Sequence, residues 1–300
     1  MAGSWHRDPG LAGLEGAWRA ASSAGPGSVF QEYAFARQWA RTFACEAEIA
    51  VWANNDPPLI VPLAIRAGRL GLIGEGLFDY LDVIGGGSPD AGCEAAEAAL
   101  ALDWRASRFT GIPAGSPHEG FWRALAGAAL PFAAAPVRAS GSGLDREHPR
   151  IARRWAATRV TVALAEAPAA RRRRLAWLLD HKARELATRG MANVLGRLEQ
   201  AWLVAMVEQE PRLSELWELQ RGGDTLAALL CWRGQRVRYA YTISYEPRAA
   251  ALSPGVLALY GVLRHTMSEG RSFNFLTGEQ EFKLRFATHR EQLLRYQHER

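Results

Sequence analysis

Apolar side chains recur at helical spacing in several stretches of this chain. Phe35, Trp39 and Phe43 follow one another at intervals of four residues, which predicts an amphipathic helix with one buried face. The charged segment 168–189 and the shorter segment 198–207 carry apolar residues in the same way, and each predicts a further helix. These helices therefore need a partner surface that covers their apolar faces.

Other stretches show the runs of apolar and β-branched residues that are typical of strands. In the first half they cover residues 47–53, 59–66, 69–73, 78–84 and 108–112. In the second half they cover residues 213–220, 225–232 and 236–244, which are separated by short turns that contain glycine. Three consecutive strands with such turns predict an antiparallel meander.

Helices and strands alternate in the first half, so we expect an α/β (α+β) fold in which mixed central sheets are flanked by helices. Three hundred residues are enough for about two domains. The stretch 133–150 is rich in Ala, Pro, Ser and Gly and shows little periodicity. It predicts a boundary between an N-terminal domain, residues 1–140, and a C-terminal domain, residues 141–300.

The order of elements in the second half is informative about function. Two helices precede the meander, and a loop, a helix over 253–269, a strand over 272–276, a polar turn and a last helix follow it. This order resembles the GNAT acyltransferase fold. In that fold the last meander strand splays from the strand after the helix, and the acyl thioester lies in the gap.

Individual residues narrow this resemblance to one branch of the superfamily. In the second half they are Leu252-Ser253-Pro254-Gly255-Val256-Leu257, Glu269-Gly270 and Phe275-Leu276-x-Gly278-Glu279-x-x-Phe282-Lys283. In the first half they are Phe30-Gln31, Trp39, Val61-Pro62-Leu63 and Phe78-Asp79-Tyr80-Leu81-Asp82. With these residues the chain resembles the CelD/BcsL-like (cellulose biosynthesis) acetyltransferases, which are related to the Fem-type aminoacyltransferases.

The resemblance implies tandem GNAT-like folds and an acyltransferase that takes an acetyl or other acyl group from acyl-CoA. It implies that the acceptor is an amine or hydroxyl group of a sugar nucleotide or exopolysaccharide precursor. The family usually has Asp at the place of Asn274 and Tyr at the place of Phe282, and both departures bear on catalysis.

The start of the predicted helix gives a physical reason to expect coenzyme A there. The first amides of a helix are unpaired and its dipole is positive at this end, so an anion is stabilised. Ser253 is predicted to cap the helix, and Gly255, next to Val256, lets a phosphate approach the backbone. The usual GNAT phosphate loop has a basic residue or Gln, and a second Gly or Ala, where this chain has Leu252 and Leu257.

The resemblance also implies where the chemistry takes place. The last meander strand is expected to donate a backbone N–H near Ile243 and Tyr245 to the thioester carbonyl, as an oxyanion hole does. Tyr241 is a candidate for protonating the leaving thiolate, and Tyr239 and Tyr245 are alternatives. A general base must take the proton of the attacking group. The candidates for it are Glu279, Glu281, Asp79 and Asp82.

Lysine is rare in this chain and marks a further candidate. Lys182 and Lys283 are the only two lysines among 36 basic residues, and all the others are arginine. Because Arg is a planar fork and Lys a compact charge, a lysine that persists in such a composition is a candidate for a task that Arg cannot perform. We expect Lys283 to be catalytic, and Asp79, Tyr80 and Phe282 to contact the substrate.

Charge and composition leave other functions open. The net charge of +5 and the pI of about 9.4 favour anionic partners such as phosphates, coenzyme A, acidic sugars or RNA. One alternative is an aminoacyl-tRNA-dependent transferase, which the basic run Arg171–Arg174 would favour. Another is a non-catalytic partner in polysaccharide synthesis. The sequence predicts no DNA partner.

Cysteine usage and hydropathy indicate the compartment. The three cysteines lie far apart, so no disulfide framework or metal-ligand spacing is expected, and a reducing cytoplasm is the default. No apolar run approaches the roughly 20 residues of a membrane span. The first 16 residues lack the apolar core of a secretory signal.

Overall fold

The computed structural model of the chain describes residues 3–25, 27–86, 89–141, 143–193 and 195–299. Within it the chain folds into two compact units. Unit 1 comprises Met1–Ala134 and Glu291–Arg300, and unit 2 comprises Ala135–Arg290. The predicted boundary between residues 140 and 141 differs from this division for two short segments and stays a prediction.

The helices and strands are numbered in chain order. The helices are α1 Glu15–Ala24, α2 Tyr33–Phe43, α3 Pro89–Leu100, α4 Glu119–Ala126, α5 Leu144–Glu147, α6 Pro149–Thr158, α7 Pro168–Thr188, α8 Arg197–Gln209, α9 Pro254–Ser268 and α10 Glu281–Phe286. The strands are β1 Ser4–His6, β2 Glu48–Asn55, β3 Pro58–Arg66, β4 Arg69–Leu72, β5 Ile84–Gly85, β6 Ala106–Pro113, β7 Leu130–Arg138, β8 Thr161–Leu164, β9 Ser214–Arg221, β10 Asp224–Arg233, β11 Val237–Tyr245, β12 Ser272–Asn274 and β13 His289–Glu299.

The sheet of unit 1 has the strand order β1-β2-β3-β4-β6-β13. The first four strands are antiparallel, β4 is parallel to β6, and β13 is antiparallel to β6. Helix α2 buries the predicted stripe of Phe35, Trp39 and Phe43. The apolar periodicity of this helix therefore marks the face that packs into the core.

The sheet of unit 2 has the strand order β8-β9-β10-β11-β12-β7. Its pairings repeat those of unit 1, because four antiparallel strands are followed by a parallel pair and a last antiparallel strand. Each unit is thus a mixed sheet with helices, and the same six-strand pattern occurs twice. The predicted fold class is confirmed.

Each unit takes one of its strands from an unexpected part of the chain. Strand β13, at the end of the chain, pairs with β6 of unit 1 and buries Leu293 and Tyr296. Strand β7 follows α4 of unit 1, yet its residues Val137 and Arg138 pair with β12 of unit 2. Sequence patterning predicted no strand over 289–299, and this omission is a correction.

The segment 78–84 is not the strand that its apolar pattern predicted. It belongs to a loop between β4 and α3, and only the two residues of β5 pair with β3. Tyr80 has a left-handed φ of 59°, and the Asp82 carboxylate accepts a hydrogen bond from the Val83 amide at 2.8 Å. These two features bend the chain away from an extended path.

Among the described residues, no helix has both the length and the apolar character that crossing a membrane requires.

Candidate functional site

Strands β11 and β12 separate after three residue pairs. They are parallel partners only where Val237, Arg238 and Tyr239 lie opposite Ser272, Phe273 and Asn274. From there on β11 keeps its pairing with β10 on the other side as far as Tyr245. The predicted splay between the last meander strand and the strand after the helix is thus present in unit 2.

The end of β12 is set by a tight turn. Leu276 has a left-handed φ of 58°, and its amide donates to the buried Asn274 side chain at 2.8 Å. Gly278 follows with a φ of 106°, which is readily reached only without a Cβ atom. The chain is therefore turned away from β11 within five residues, which opens the gap.

A cavity of about 470 Å³ is associated with this gap, and its volume lies in the range of small-molecule sites. Its apolar lining includes Leu229, Ile243, Leu259, Phe275 and Phe282. Its polar lining consists of Lys182, Glu185, Arg189, Tyr241, Thr242, Tyr245, Ser253, Gln280 and Lys283. The cavity thus combines an apolar surface with a set of charged groups.

The N-terminus of α9 contributes one side of the lining, through Ser253, Gly255 and Val256. Ser253 has a left-handed φ of 52°, and its hydroxyl accepts a hydrogen bond from Arg154 at 3.1 Å. Ser253 occupies the N-cap position of α9, as predicted, but its hydroxyl makes no capping hydrogen bond to the helix. The first backbone amides of α9, at the positive end of the helix dipole, consequently have no side-chain cap and can interact with an anion in the cavity.

Gly255 leaves space that the protein does not need for its own packing. A Cβ atom there would lie 3.7 Å from Tyr245 and 3.9 Å from Ile243, which are ordinary contacts with two lining side chains. The backbone at Gly255 is therefore open to the close approach of a diphosphate. Leu257, by contrast, is fully buried in the core, so the second small residue of the usual loop has no counterpart. The fit to coenzyme A rests on Gly255 and the helix end.

Lys283 lies in the first turn of α10 and lines the cavity together with Phe282. Its ammonium group donates to the carbonyl oxygen of Thr277 at 2.6 Å, so the lysine spans the turn that follows β12. Glu279 lies in this turn, and its carboxylate accepts a hydrogen bond from Arg290 at 2.9 Å. Gln280, its neighbour, lines the cavity.

The structure brings together eight of the twelve residues predicted from the sequence. They are Tyr241, Ile243, Tyr245, Ser253, Gly255, Val256, Phe282 and Lys283, which all line this cavity of unit 2. Glu279 lies in the turn described above. Asp79, Tyr80 and Asp82 belong to unit 1. The roles of all twelve stay predictions.

Asp82 is deeply buried in unit 1. Its carboxylate accepts hydrogen bonds from the Trp122 indole at 2.9 Å and from the Val83 amide at 2.8 Å. Burial nevertheless raises the pKa of Asp82 to about 6. The hydroxyl of Tyr80 donates to Glu291 at 2.6 Å, and Asp79 lies beside it in the same loop.

Three charged residues line the cavity without having been predicted as site residues. They are Lys182 and Glu185 of α7 and Arg189, which directly follows this helix. Glu185 lies between the two cations, 3.2 Å from the Lys182 ammonium and 3.0 Å from the Arg189 guanidinium. It also accepts a hydrogen bond of 3.4 Å from Ser244 of β11. The rarity of lysine was the signal in the sequence that could have identified Lys182.

Residues 145–284 match the family described as "Acetyltransferase (GNAT) domain". The match covers α7, the meander, α9, β12 and the greater part of α10, and residues that line the cavity lie in these elements. No curated protein matches the chain by sequence.

Solved structures share the fold over nearly the whole chain. The crystal structure of FemX is 10% identical, covers 99% of this chain and 97% of its own, and gives a TM-score of 0.66. L-PGS from Bacillus licheniformis is 14% identical, with coverage of 94% and 91% and a TM-score of 0.58. A tandem GNAT protein from the clavulanic acid biosynthesis pathway is 12% identical, with 98% of both chains covered and a TM-score of 0.53.

These likenesses establish a GNAT-type acyltransferase fold and a similarity to tandem GNAT proteins. At this level of identity the solved structures show fold alone. The narrower resemblance to the CelD/BcsL-like family stays a prediction.

Proposed function

We propose that this chain is an acyltransferase that moves an acetyl or other acyl group from acyl-CoA to an amine or hydroxyl group of a sugar nucleotide or exopolysaccharide precursor. The observation that carries the proposal is the cavity at the point where β11 leaves β12, lined by the N-terminus of α9. The match to the GNAT acetyltransferase domain supports the reaction and the donor. The acceptor class rests on the resemblance to the CelD/BcsL-like family.

The lining offers a place for each part of an acyl-CoA. The amides at Gly255 and Val256, with the positive helix end, suit the diphosphate. Backbone N–H groups of β11 near Ile243 suit the thioester carbonyl, since a fixed donor stabilises the charge that develops on that oxygen. Leu229 and Phe275 offer an apolar surface for the acyl chain.

The transfer itself needs little more than positioning and two proton movements. The lone pair of the acceptor attacks the carbonyl carbon, a C–N or C–O bond forms, and the C–S bond breaks. The acceptor loses one proton and the leaving sulfur gains one, so the reaction balances without a further reactant. In this proposal the Lys283 ammonium stabilises the charge on the carbonyl oxygen, and the Tyr241 hydroxyl protonates the sulfur.

Calorimetry with acetyl-CoA and longer acyl-CoAs tests the donor. We expect saturable binding by the full chain, and thiol release in the presence of sugar nucleotides that carry an amine or a free hydroxyl. Lys283→Gln is expected to lower turnover by about 100-fold or more, the usual effect of losing a group that stabilises the transition state. The matched control is Arg285→Gln on the same helix, whose guanidinium is exposed and pairs with Glu281.

Two results would contradict the proposal. If no acyl-CoA bound, the proposal that acyl-CoA is the donor would be rejected. If Lys283→Gln and Arg285→Gln had equal turnover, the catalytic role of Lys283 would be rejected, while acyl-CoA could still be the donor.

The likeness to FemX gives an aminoacyl-tRNA donor as the second candidate. The basic run at the start of α7 offers it limited support, because most of its arginines have partners within unit 2. Arg171 is buried and donates to the Val207 carbonyl and the Ser214 hydroxyl. Arg172 pairs with Glu208, and Arg174 with Glu218. A tRNA affinity that falls steeply with salt would favour this candidate, and no shift of tRNA at low salt would exclude it.

A further inference from the structure

Both lysines of the chain line the same cavity. Of the 36 basic residues, three belong to the described lining, and Lys182 and Lys283 are two of these three. Random placement of two lysines among so many basic positions makes this coincidence rare. The same cavity therefore uses the compact ammonium group twice, in a chain whose other 34 basic residues are all arginine.

The position of Lys182 is fixed by its neighbours on α7. Its ammonium group lies 3.2 Å from Glu185, which faces Arg189 with its other carboxylate oxygen at 3.0 Å. Only 18% of the Glu185 side chain is exposed, and Ser244 of β11 approaches it at 3.4 Å. Both oxygens of Glu185 are thus engaged, so this carboxylate serves to hold the two cations in place.

The charge of the lining is unbalanced. Lys182, Arg189 and Lys283 contribute three positive charges, and Glu185 is the one carboxylate among the described residues of the lining. A concave site with an excess of positive charge attracts anions and binds them by charge-assisted hydrogen bonds.

We propose that Lys182 and Arg189, held by Glu185, form an anion seat in the cavity that also contains Lys283, and that this seat binds a phosphate or carboxylate group of a ligand. The inference rests on the proposed function in one respect, which is that this cavity is the site of transfer. The anionic group belongs either to the acyl-CoA donor or to the acceptor.

Binding measurements on the full chain at low salt test the seat. The probes are inorganic pyrophosphate, acetyl-CoA, acetylpantetheine, which lacks the nucleotide phosphates, and UDP-N-acetylglucosamine. The variants are Lys182→Gln and Lys182→Arg. The control is Arg173→Gln, which removes one positive charge from an exposed position of the same helix. Thermal unfolding of each variant checks that it is folded.

We expect Lys182→Gln to weaken pyrophosphate binding about tenfold or more, as the loss of a charge-assisted hydrogen bond does. Lys182→Arg keeps the charge and should recover part of the affinity, and Arg173→Gln should match the wild type. If acetyl-CoA loses affinity in Lys182→Gln while acetylpantetheine does not, the seat holds the donor. If UDP-N-acetylglucosamine loses affinity while acetyl-CoA does not, the seat holds the acceptor.

The inference is overturned if no probe binds the wild type, or if none responds to Lys182→Gln more than to Arg173→Gln. Failure of the proposed function looks different. If the wild-type chain bound pyrophosphate through Lys182 but bound no acyl-CoA, the anion seat would be supported, and acyl-CoA would be rejected as the donor.

Discussion

Asn274 determines how the backbone leaves β12. Its side chain is buried, and its oxygen accepts the amide of Leu276, which is held in a left-handed conformation. An Asn or Asp side chain that bonds to the backbone two residues further on is a common way to fix such a turn. The Asp that the CelD/BcsL-like family, which the sequence resembles, usually has would supply the same acceptor, so Asn274 preserves the turn.

Replacing Asn274 with Ala should therefore damage both stability and activity. The buried Leu276 amide would lose its partner, which costs about 1–3 kcal/mol of unfolding free energy. The turn that carries Lys283 would loosen, so turnover should also fall. Asn274→Asp keeps the oxygen and should lose less of both. Urea unfolding and thiol-release assays decide this, and an Asn274→Ala variant as stable as the wild type would contradict it.

Asp82 is expected to make the unfolding free energy depend on pH. Its pKa is raised to about 6 by burial, against a usual value of 3.8, so the folded state favours the protonated form. Stability from this group is complete below pH 4 and is lost as the pH rises through 6. Between pH 5 and pH 8 the loss corresponds to about one pKa unit, or about 1.4 kcal/mol.

Asp82→Asn keeps an acceptor for Trp122 and cannot ionise. The unfolding free energy of Asp82→Asn minus that of the wild type should therefore increase by about 1.4 kcal/mol from pH 5 to pH 8. Taking the difference between the two proteins removes the contributions of other titrating groups. Glu75→Gln should show the same sign, because burial raises the pKa of Glu75 to about 7. A difference that is constant across this range would refute the account.

At the scale of elements, helix α9 contains two glycines with opposite surroundings. Gly255 has room for a Cβ atom, whereas a Cβ atom on Gly261 would lie 2.4 Å from Val162 and 2.5 Å from Trp155. One glycine thus borders the cavity, and the other allows close packing inside unit 2. The same substitution at the two positions separates binding from folding.

Gly255→Ala should leave the melting temperature unchanged or slightly higher, since Ala favours a helix over Gly by up to about 1 kcal/mol. It should lower the affinity for acetyl-CoA by about tenfold, because the added methyl group occupies the approach to the backbone. Gly261→Ala should lower stability by about 1–3 kcal/mol through overpacking. Thermal unfolding and calorimetry measure both. Unchanged acetyl-CoA affinity in folded Gly255→Ala would show that the diphosphate does not bind there.

Periodicity predicted the elements whose apolar faces are continuous. Helix α7 and the strands β9, β10 and β11 lie close to their predicted ranges, because each buries a regular pattern of side chains. Strand β13 was missed because only two of its eleven residues, Leu293 and Tyr296, are buried. Its charged sequence gave too weak a signal for a strand.

Only the part of the candidate site whose residues are close together in the sequence could be predicted. The residues of β11, α9 and α10 are close in sequence, and the order of elements placed them together. The face that α7 turns to the cavity depends on how this helix packs on the sheet, and its periodicity alone did not single out Glu185 or Arg189. Lys182 was visible through its rarity, but its place beside the cavity came from the tertiary structure.

At the scale of the molecule, each unit contains a strand from a distant part of the chain. Strand β13 pairs with β6 of unit 1 and contributes the buried side chains of Leu293 and Tyr296. Local patterning cannot reveal this arrangement, because it depends on which edges the two strands join after folding. The last ten residues are therefore predicted to matter for unit 1 rather than for unit 2.

Deleting residues 291–300 should destabilise unit 1 selectively. The deletion removes the partner of β6, exposes the edge of that strand and uncovers the buried Trp122 ring of α4, which stacks on Tyr296. Unit 2 keeps its own buried cluster, which contains Leu229 and Tyr260. Hydrogen exchange followed by mass spectrometry should show faster exchange in β6 and α4, while β9, β10 and β11 stay protected.

Point variants give the same test without a truncation. Leu293→Ala should cost about 2–5 kcal/mol, as usual for a buried leucine, and should accelerate exchange in β6. Gln297→Ala, at an exposed position of the same strand, should change neither. If Leu293→Ala or the deletion accelerated exchange equally in β6 and in β10, β13 would stabilise the whole chain and not unit 1 in particular. If Leu293→Ala had no effect, β13 would not be part of the sheet in solution.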